Sequence, residues 1–396
     1  MISILVAAAI QSPAVVEWLD PTWGVVSIQA VVKLPQLSQK EYSLLAQVVG
    51  TLGSETSTYS GTQIADIAVR AGSRMRASLM PDHVRVGMEV VAADASTGIG
   101  MVGAVLRESV VNETKLSAVA QDFQFRRQNF WRQATDSLRF QPEKYLAEDI
   151  TELMERVFRP ENVTLAVGGK ITPGVATQRW EDIRAAWSMK RLPPVRTAAV
   201  VTPSAAKLDS NVAVLDFQGD EFIGGDAALA TRLLALTAIG TGKAASLWKV
   251  SRESLGASYR QEAILVPTNS GFRPRLLLAH EGSEDLADLG EKIREGLLAE
   301  INLWTDEDRK RALGMAESYL VRGGDMSPLY LAPGRSLDGD LADQTFLQAY
   351  WLMKTGTRWN PHQLVGKMGF VELPDLKSTA QKIVLESRLV IHKARS

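Results

Sequence analysis

The sequence predicts an α+β protein built from two similar halves, each a largely antiparallel sheet with helices packed on one face. Three observations predict it. Strand-period and helix-period segments come in runs rather than in strict alternation, which a doubly wound parallel sheet would require. At 396 residues the chain is too long for one ordinary core. Its ending, LPDLKSTAQKIVLESRLVIHKARS, parallels YLAEDITELMERVFRPENVTLAVGG near position 150, a helix leading into a strand in both cases. That parallel suggests an internal duplication.

The elements follow in order. VVSIQAVVKL, 25–34, places Val26, Ile28, Ala30 and Val32 on one face, so a half-buried strand is expected. Leu44, Leu45, Val48 and Val49 then recur at helical spacing. A polar loop precedes a second helix carrying Ile64, Ile67, Ala68 and Ala71, with Thr62 as its cap and Gly72 as its stop. Val84, Val86, Met88 and Val90 alternate in the next strand, and a long helical region spans about 97–133 with a break near Asn112. PEKYLAEDITELMERVF reads as a helix and NVTLAVGG as a strand running into a turn.

MKRLPPVRTAAVVTPSAAKLDS, 189–210, has three prolines and little periodicity, as an inter-domain linker would. The halves are therefore set at 15–190 and 211–396, joined by a linker over 191–210. The second half opens with the strand NVAVLDFQ and the helix DAALATRLLALTAI, with Asp226 near its start. ASYRQEAILV and RPRLLLAH are strands. SEDLADLGEKIREGLLAEINLW is a helix with Ser283 as cap and a Leu286, Leu289, Ile293, Leu297, Ile301 stripe. TDEDRKRALGMAESYLVRGG is a helix opened by Thr305 and Asp308 and closed by Gly323.

Composition removes several functions. Forty-four basic against 45 acidic residues leave a net charge of −1, so no basic field is available for nucleic acid. The absence of cysteine excludes disulfides, thiolate metal sites and a cysteine nucleophile. No apolar run approaches the length of a membrane span. Residues 1–14, MISILVAAAIQSPA, read either as a signal-peptide h-region and cleavage site without the basic n-region, or as an N-terminal strand. The first reading tilts the location towards export, periplasmic rather than cytoplasmic. GTQIAD and GTGKAAS lack the spacing of a phosphate loop. FQFRRQNFW, 123–131, interleaves aromatic and basic residues, but in a neutral protein an inward-packed helix is the better reading.

The stretch with most chemistry is IGTGKAASLWKVSRESLGASYRQE, 239–262. A glycine-bearing turn enters a short helix, Gly256 breaks it, and a strand starts near Tyr259. Arg252 and Tyr259 flank this corner and could aim a guanidinium and a phenol at one point, to hold a peptide carbonyl or an oxyanion. The structural alternative has Arg252 capping the last carbonyls of its helix and Tyr259 packed on the sheet. Spacing alone favours that alternative.

Residues 239–262 resemble the C-terminal-half signature of the M16 (pitrilysin, or insulinase-like) zinc metallopeptidases and processing-peptidase subunits. The match runs through Gly240, Gly242, Leu247, Trp248, Arg252, Glu253, Gly256 and Tyr259 without a gap. FQG at 217–219, LAVGGKITPG and the TDEDRKRALGMAES helix are similar to other pieces of the family pattern. The resemblance implies a LuxS/M16 metallohydrolase-like fold, two homologous halves around a chamber, and a substrate-binding role for Arg252 and Tyr259.

It also implies an inverted zinc motif, His-x-x-Glu-His, on the first long helix. The corresponding positions, 46 to 50, read Ala46-Gln47-Val48-Val49-Gly50, so Ala46, Val49 and Gly50 stand where two histidines and the base belong. The third ligand is missing too, since no glutamate lies between Glu113 and Glu143. His83, His280, His362 and His392 are scattered, and Gly282 in HEGSE, 280–284, points to a loop rather than a metal helix.

No catalytic residue and no cofactor are therefore expected in this chain. The leading expectation is the non-catalytic, peptide-binding subunit of a two-chain peptidase whose partner carries zinc and base. The alternative is a catalytically dead scaffold of the same fold, resembling the core subunits of respiratory complexes and prone to self-association.

Overall fold

A computed structural model of the chain describes residues 15–20, 22–112, 114–119, 145–187, 207–208, 210–223, 225–321, 328–331 and 340–394. The leader-like residues 1–14, the FQFRRQNFW segment, most of the linker, Gly323 and, beyond residue 119, the stretch between Glu113 and Glu143 lie outside these.

The first half contains strands β1 (Val15–Leu19) and β2 (Val25–Lys33), helices α1 (Gln39–Thr51) and α2 (Gly61–Val69), and strands β3 (Arg76–Leu79) and β4 (His83–Val91). Helix α3 (Ala95–Glu108), helix α4 (Ala147–Val157), strand β5 (Val163–Gly169) and helix α5 (Val175–Ala185) complete it. The second half begins inside the expected linker with β6 (Lys207–Leu208), followed by β7 (Ala213–Gln218) and α6 (Asp226–Gly240). A short helix, Ser246–Trp248, continues as a π-helical turn, Lys249–Ser254, before β8 (Arg260–Pro267) and β9 (Phe272–His280). Helices α7 (Leu286–Leu303), α8 (Asp306–Val321), α9 (Leu341–Thr355), α10 (Pro361–Gly369) and α11 (Leu373–Leu385) lead to β10 (Arg388–Ala394).

The two sheets repeat one another strand for strand. Their orders are β1-β5-β2-β4-β3 and β6-β10-β7-β9-β8, identical after a shift of five. In each, the outer strand runs parallel to the last one and every other pairing is antiparallel. Register repeats as well. Val31 faces Arg85 and Thr164, while Gln218 faces Arg275 and Arg388. In both halves the equivalent arginine reaches two residues back along the neighbouring strand. Arg85 Nε donates to Gln29 Oε1 at 2.9 Å, and Arg275 Nε to Asp216 Oδ1 at 3.0 Å.

β2 is buried along nearly its whole length rather than on one face. Val26, Ile28, Ala30 and Val32 face the helices of their own half. Val31 and Ala166, on the opposite face, join Phe346 and Tyr350 of α9 in the second half's core. A helix from one half thus covers the free face of the other half's sheet, and alternation alone could not signal it.

Two caps differ from expectation. Ser60, not Thr62, caps α2: its Oγ accepts from the Gln63 N–H while Gln63 Oε1 accepts from the Ser60 N–H. Asp285, not Ser283, caps α7 by accepting from the N–H groups of Ala287 and Asp288. Thr305 does open α8, donating its N–H and hydroxyl to Asp308. The break near Asn112 is present, with α3 ending at Glu108 and Asn112 Oδ1 accepting from the Lys115 N–H.

Candidate functional site

The corner joining the π-helical turn to β8 is held by its own backbone. Gly256 adopts φ +62°, a left-handed conformation that turns the chain sharply. The Ser251 carbonyl accepts from the N–H groups of both Ala257 and Ser258, at 2.7 and 3.2 Å. Ser258 Oγ donates to the Arg260 carbonyl and accepts from the Arg260 N–H, which starts the strand. The Leu255 N–H reaches back five residues to the Val250 carbonyl, the wide spacing of a π-turn, a form that recurs at functional sites.

This scaffold brings Arg252 and Tyr259 together. The guanidinium carbon lies 3.6 Å from the Tyr259 ring centroid, so the cation covers the ring face. Arg252 is half-buried and Tyr259 is 72% exposed. Among the described residues, Arg252 makes no side-chain hydrogen bond or ion pair, and it caps no carbonyl of its own helix. Tyr259 projects outward instead of packing on the sheet. Stacking fixes the plane of the guanidinium while leaving its N–H fork available to an acceptor.

The first half also turns on a left-handed glycine before its edge strand, though with a different backbone bonding pattern: the Gly72 N–H donates to the Val69 carbonyl and the Ser73 N–H to the Ala68 carbonyl. Gly72, at φ +68°, stands four residues before β3, as Gly256 stands four before β8. Strand register sets Ser73 against Tyr259, and the first-half turn carries no arginine–tyrosine pair.

The positions that the resemblance sets against the zinc motif lie on α1. Ala46 is half-buried, Val49 is packed in the core, and Gly50 is exposed at the helix end. A methyl, an isopropyl group and a hydrogen offer no donor atom to a metal. A Cβ at position 50 would lie 2.5 Å from Val119 Cγ1, so a larger side chain there displaces Val119. These residues do not fit a zinc ion.

The histidines are engaged separately. His83 Nδ1 lies 2.7 Å from Asp82 Oδ1, and His392 Nε2 lies 3.0 Å from Asp216 Oδ2, both pairs fully buried. His280 Nδ1 lies 2.8 Å from the Ala257 carbonyl, and His362 is exposed on α10. Among the described residues, no three His, Asp or Glu side chains converge as a metal would require. No described helix is long and apolar enough to cross a membrane.

Sequence reasoning missed two charged clusters. Asp82 is 2% exposed and accepts from Lys354 Nζ at 2.9 Å and Tyr350 Oη at 3.2 Å, both on α9. Burial works to raise the Asp82 pKa, but His83 and Lys354 beside it hold it below the ordinary value of 3.8. Lys354 also donates to the Thr268 carbonyl. Asp216 is equally buried. Burial raises its pKa too, and Arg275, His392 and Gln218 together bring it below 3.8. Both clusters join residues remote in sequence, so no local pattern announces them. A cleft of about 480 Å³ between Trp18, Arg358 and Trp359 lies apart from the Arg252–Tyr259 corner.

No protein-family model matches the chain, and no curated protein matches it in sequence. Solved structures do match. One is a peptidase M16 inactive domain from Pseudomonas fluorescens, with TM-score 0.71, 12% identity, and coverage of 96% of this chain and 95% of that one. Another is a protease from Helicobacter pylori, with TM-score 0.69, 14% identity, and coverage of 96% of both chains. The agreement is one of fold: over 96% of its length the chain shares the architecture of these structures, seen here as two sheets of one topology.

Proposed function

We propose that this chain is the non-catalytic, peptide-binding subunit of a two-chain M16-type peptidase. A partner with an intact inverted zinc motif supplies metal and base, and Arg252 with Tyr259 grips the peptide. One observation carries the reading. The guanidinium is pre-oriented on an outward-facing ring with its donors unengaged among the described residues, while α1 offers no donor at its ligand positions.

Magnitude separates a binding role from a stabilising one. An exposed cation–π contact contributes about 0.5–1 kcal/mol, a small part of the roughly 5–15 kcal/mol that holds a domain folded. A guanidinium donating to a peptide carbonyl contributes about 1.5–3 kcal/mol, enough to change peptide affinity by roughly ten- to a hundredfold.

The test is a mixing experiment. The purified chain is combined with a zinc-bearing M16 peptidase from the same cell, and hydrolysis of a quenched fluorogenic, unstructured peptide is followed. The chain alone is expected to hydrolyse nothing and to raise the partner's rate on mixing. Stable self-association without effect on any such peptidase would favour the scaffold reading, which the solved inactive domain of the same fold keeps in view.

A further inference from the structure

We infer that His280 is the positioning residue of the Arg252–Tyr259 pair. The inference rests on the peptide-gripping reading for its functional consequence, though not for its geometry. His280 ends β9, is buried, and points its ring at the corner rather than at solvent. Its Nδ1 lies 2.8 Å from the Ala257 carbonyl, and a carbonyl only accepts, so Nδ1 carries the proton.

Ala257 is the residue on which the corner turns. Its N–H donates to the Ser251 carbonyl, immediately before Arg252, and its own carbonyl lies two residues before Tyr259. One residue is thus held through its N–H by the Ser251 carbonyl and through its C=O by His280. The strand ladder does not take over that task. The last β8–β9 pair is Arg260 with Ala279, so Tyr259 and His280 are the first residues past its end. Without the imidazole the Ala257 carbonyl loses its donor, and the corner before Tyr259 keeps only its bonds to the Ser251 carbonyl and the Ser258 hydroxyl.

Gly282 completes the arrangement. A Cβ at that position would lie 2.5 Å from His280 Nε2, so the absence of a side chain is what lets the ring seat against the loop. Glu284 Oε2, 3.7 Å from Nε2, is the charged group beside the ring's other edge. This accounts for HEGSE, 280–284, without a metal: its histidine serves the corner and its glycine serves the histidine.

The experiment reads geometry and function separately. Arginine side-chain resonances are recorded in the full chain labelled with ¹³C,¹⁵N-arginine. Arg252 is assigned by its loss in Arg252→Ala, and its upfield ring-current shift by its disappearance in Tyr259→Leu. His280→Leu removes the donor, whereas His280→Asn places an amide N–H where Nδ1 was. The expected result is loss of the upfield shift in His280→Leu and its return in His280→Asn. Partner-assisted peptide hydrolysis should follow, falling about three- to tenfold in the first variant and recovering in the second.

An unchanged Arg252 shift in folded His280→Leu overturns the inference. If that variant does not fold, Gly282→Ala replaces it, and an unchanged shift there overturns the inference equally. A shift lost and regained while hydrolysis stays constant upholds the positioning role and overturns the peptide-gripping reading instead.

Discussion

Lys354 Nζ lies 2.9 Å from Asp82 Oδ2 across the junction of the two halves, with both side chains under one-tenth exposed. Asp82 precedes β4 of the first half, and Lys354 sits near the end of α9 of the second, 272 residues away. Tyr350 donates to the same carboxylate, and burial beside Asp82 pushes its own pKa well above 10, so it stays a neutral donor. With Arg85 bound to Asp343 at 2.7 Å, two ion pairs pin α9 to the first half's sheet.

Removing one partner of such a buried pair leaves the other uncompensated. Lys354→Met is expected to cost about 3–5 kcal/mol in urea unfolding, because Asp82 and the Thr268 carbonyl both lose a donor. The double variant Asp82→Asn, Lys354→Met should recover part of that loss. A single variant indistinguishable from wild type would show that the pair does not hold the halves.

Acid should loosen the same contacts. Asp82 and Asp216 both have folded-state pKa values below the ordinary 3.8, so the unfolded chain binds protons more readily. Their stabilisation is complete above about pH 4 and drains as the pH falls through the folded-state values. Urea midpoints followed from pH 5 to pH 2.5 are expected to fall, and Asp216→Asn should flatten the slope while lowering the plateau.

Arg252→Ala should leave the unfolding midpoint nearly unchanged, within about 1 kcal/mol, since only a stacked exposed contact is lost. Arg252→Lys should not restore peptide handling, because an ammonium has no planar fork to stack and donate at once. Thermal denaturation paired with the assisted-hydrolysis assay separates these effects.

Elemental analysis of the isolated chain should find no stoichiometric zinc. Gly50→His is expected to destabilise the fold rather than create a ligand, given the 2.5 Å approach of Val119 to that position. Tight zinc binding by the unmodified chain would contradict the reading of Ala46, Val49 and Gly50.

Much of the fold was legible because its signals are local. β4 alternates and α7 carries a clean stripe, and both formed where the periods placed them. Helix α9 left no such trace, because LADQTFLQAYWLMKT is buried on several sides between the two halves and shows no single apolar face. The caps of α2 and α7 were misplaced by two residues, a choice between neighbouring hydroxyls and carboxylates that only backbone geometry decides. At the corner, the resemblance of residues 239–262 singled out Arg252, Gly256 and Tyr259 where spacing alone favoured a capping role, and the stacked geometry was not legible at all. His280 lay beyond reach, since its bond to Ala257 spans 23 residues and depends on where the β8–β9 ladder stops.

The most direct measurement compares assisted hydrolysis by the mixed chains with wild-type protein and with the double variant Arg252→Ala, Tyr259→Phe, association being checked by sedimentation. The account predicts that the variant still joins its partner but loses roughly nine-tenths or more of the stimulation. Full stimulation by the variant would contradict it.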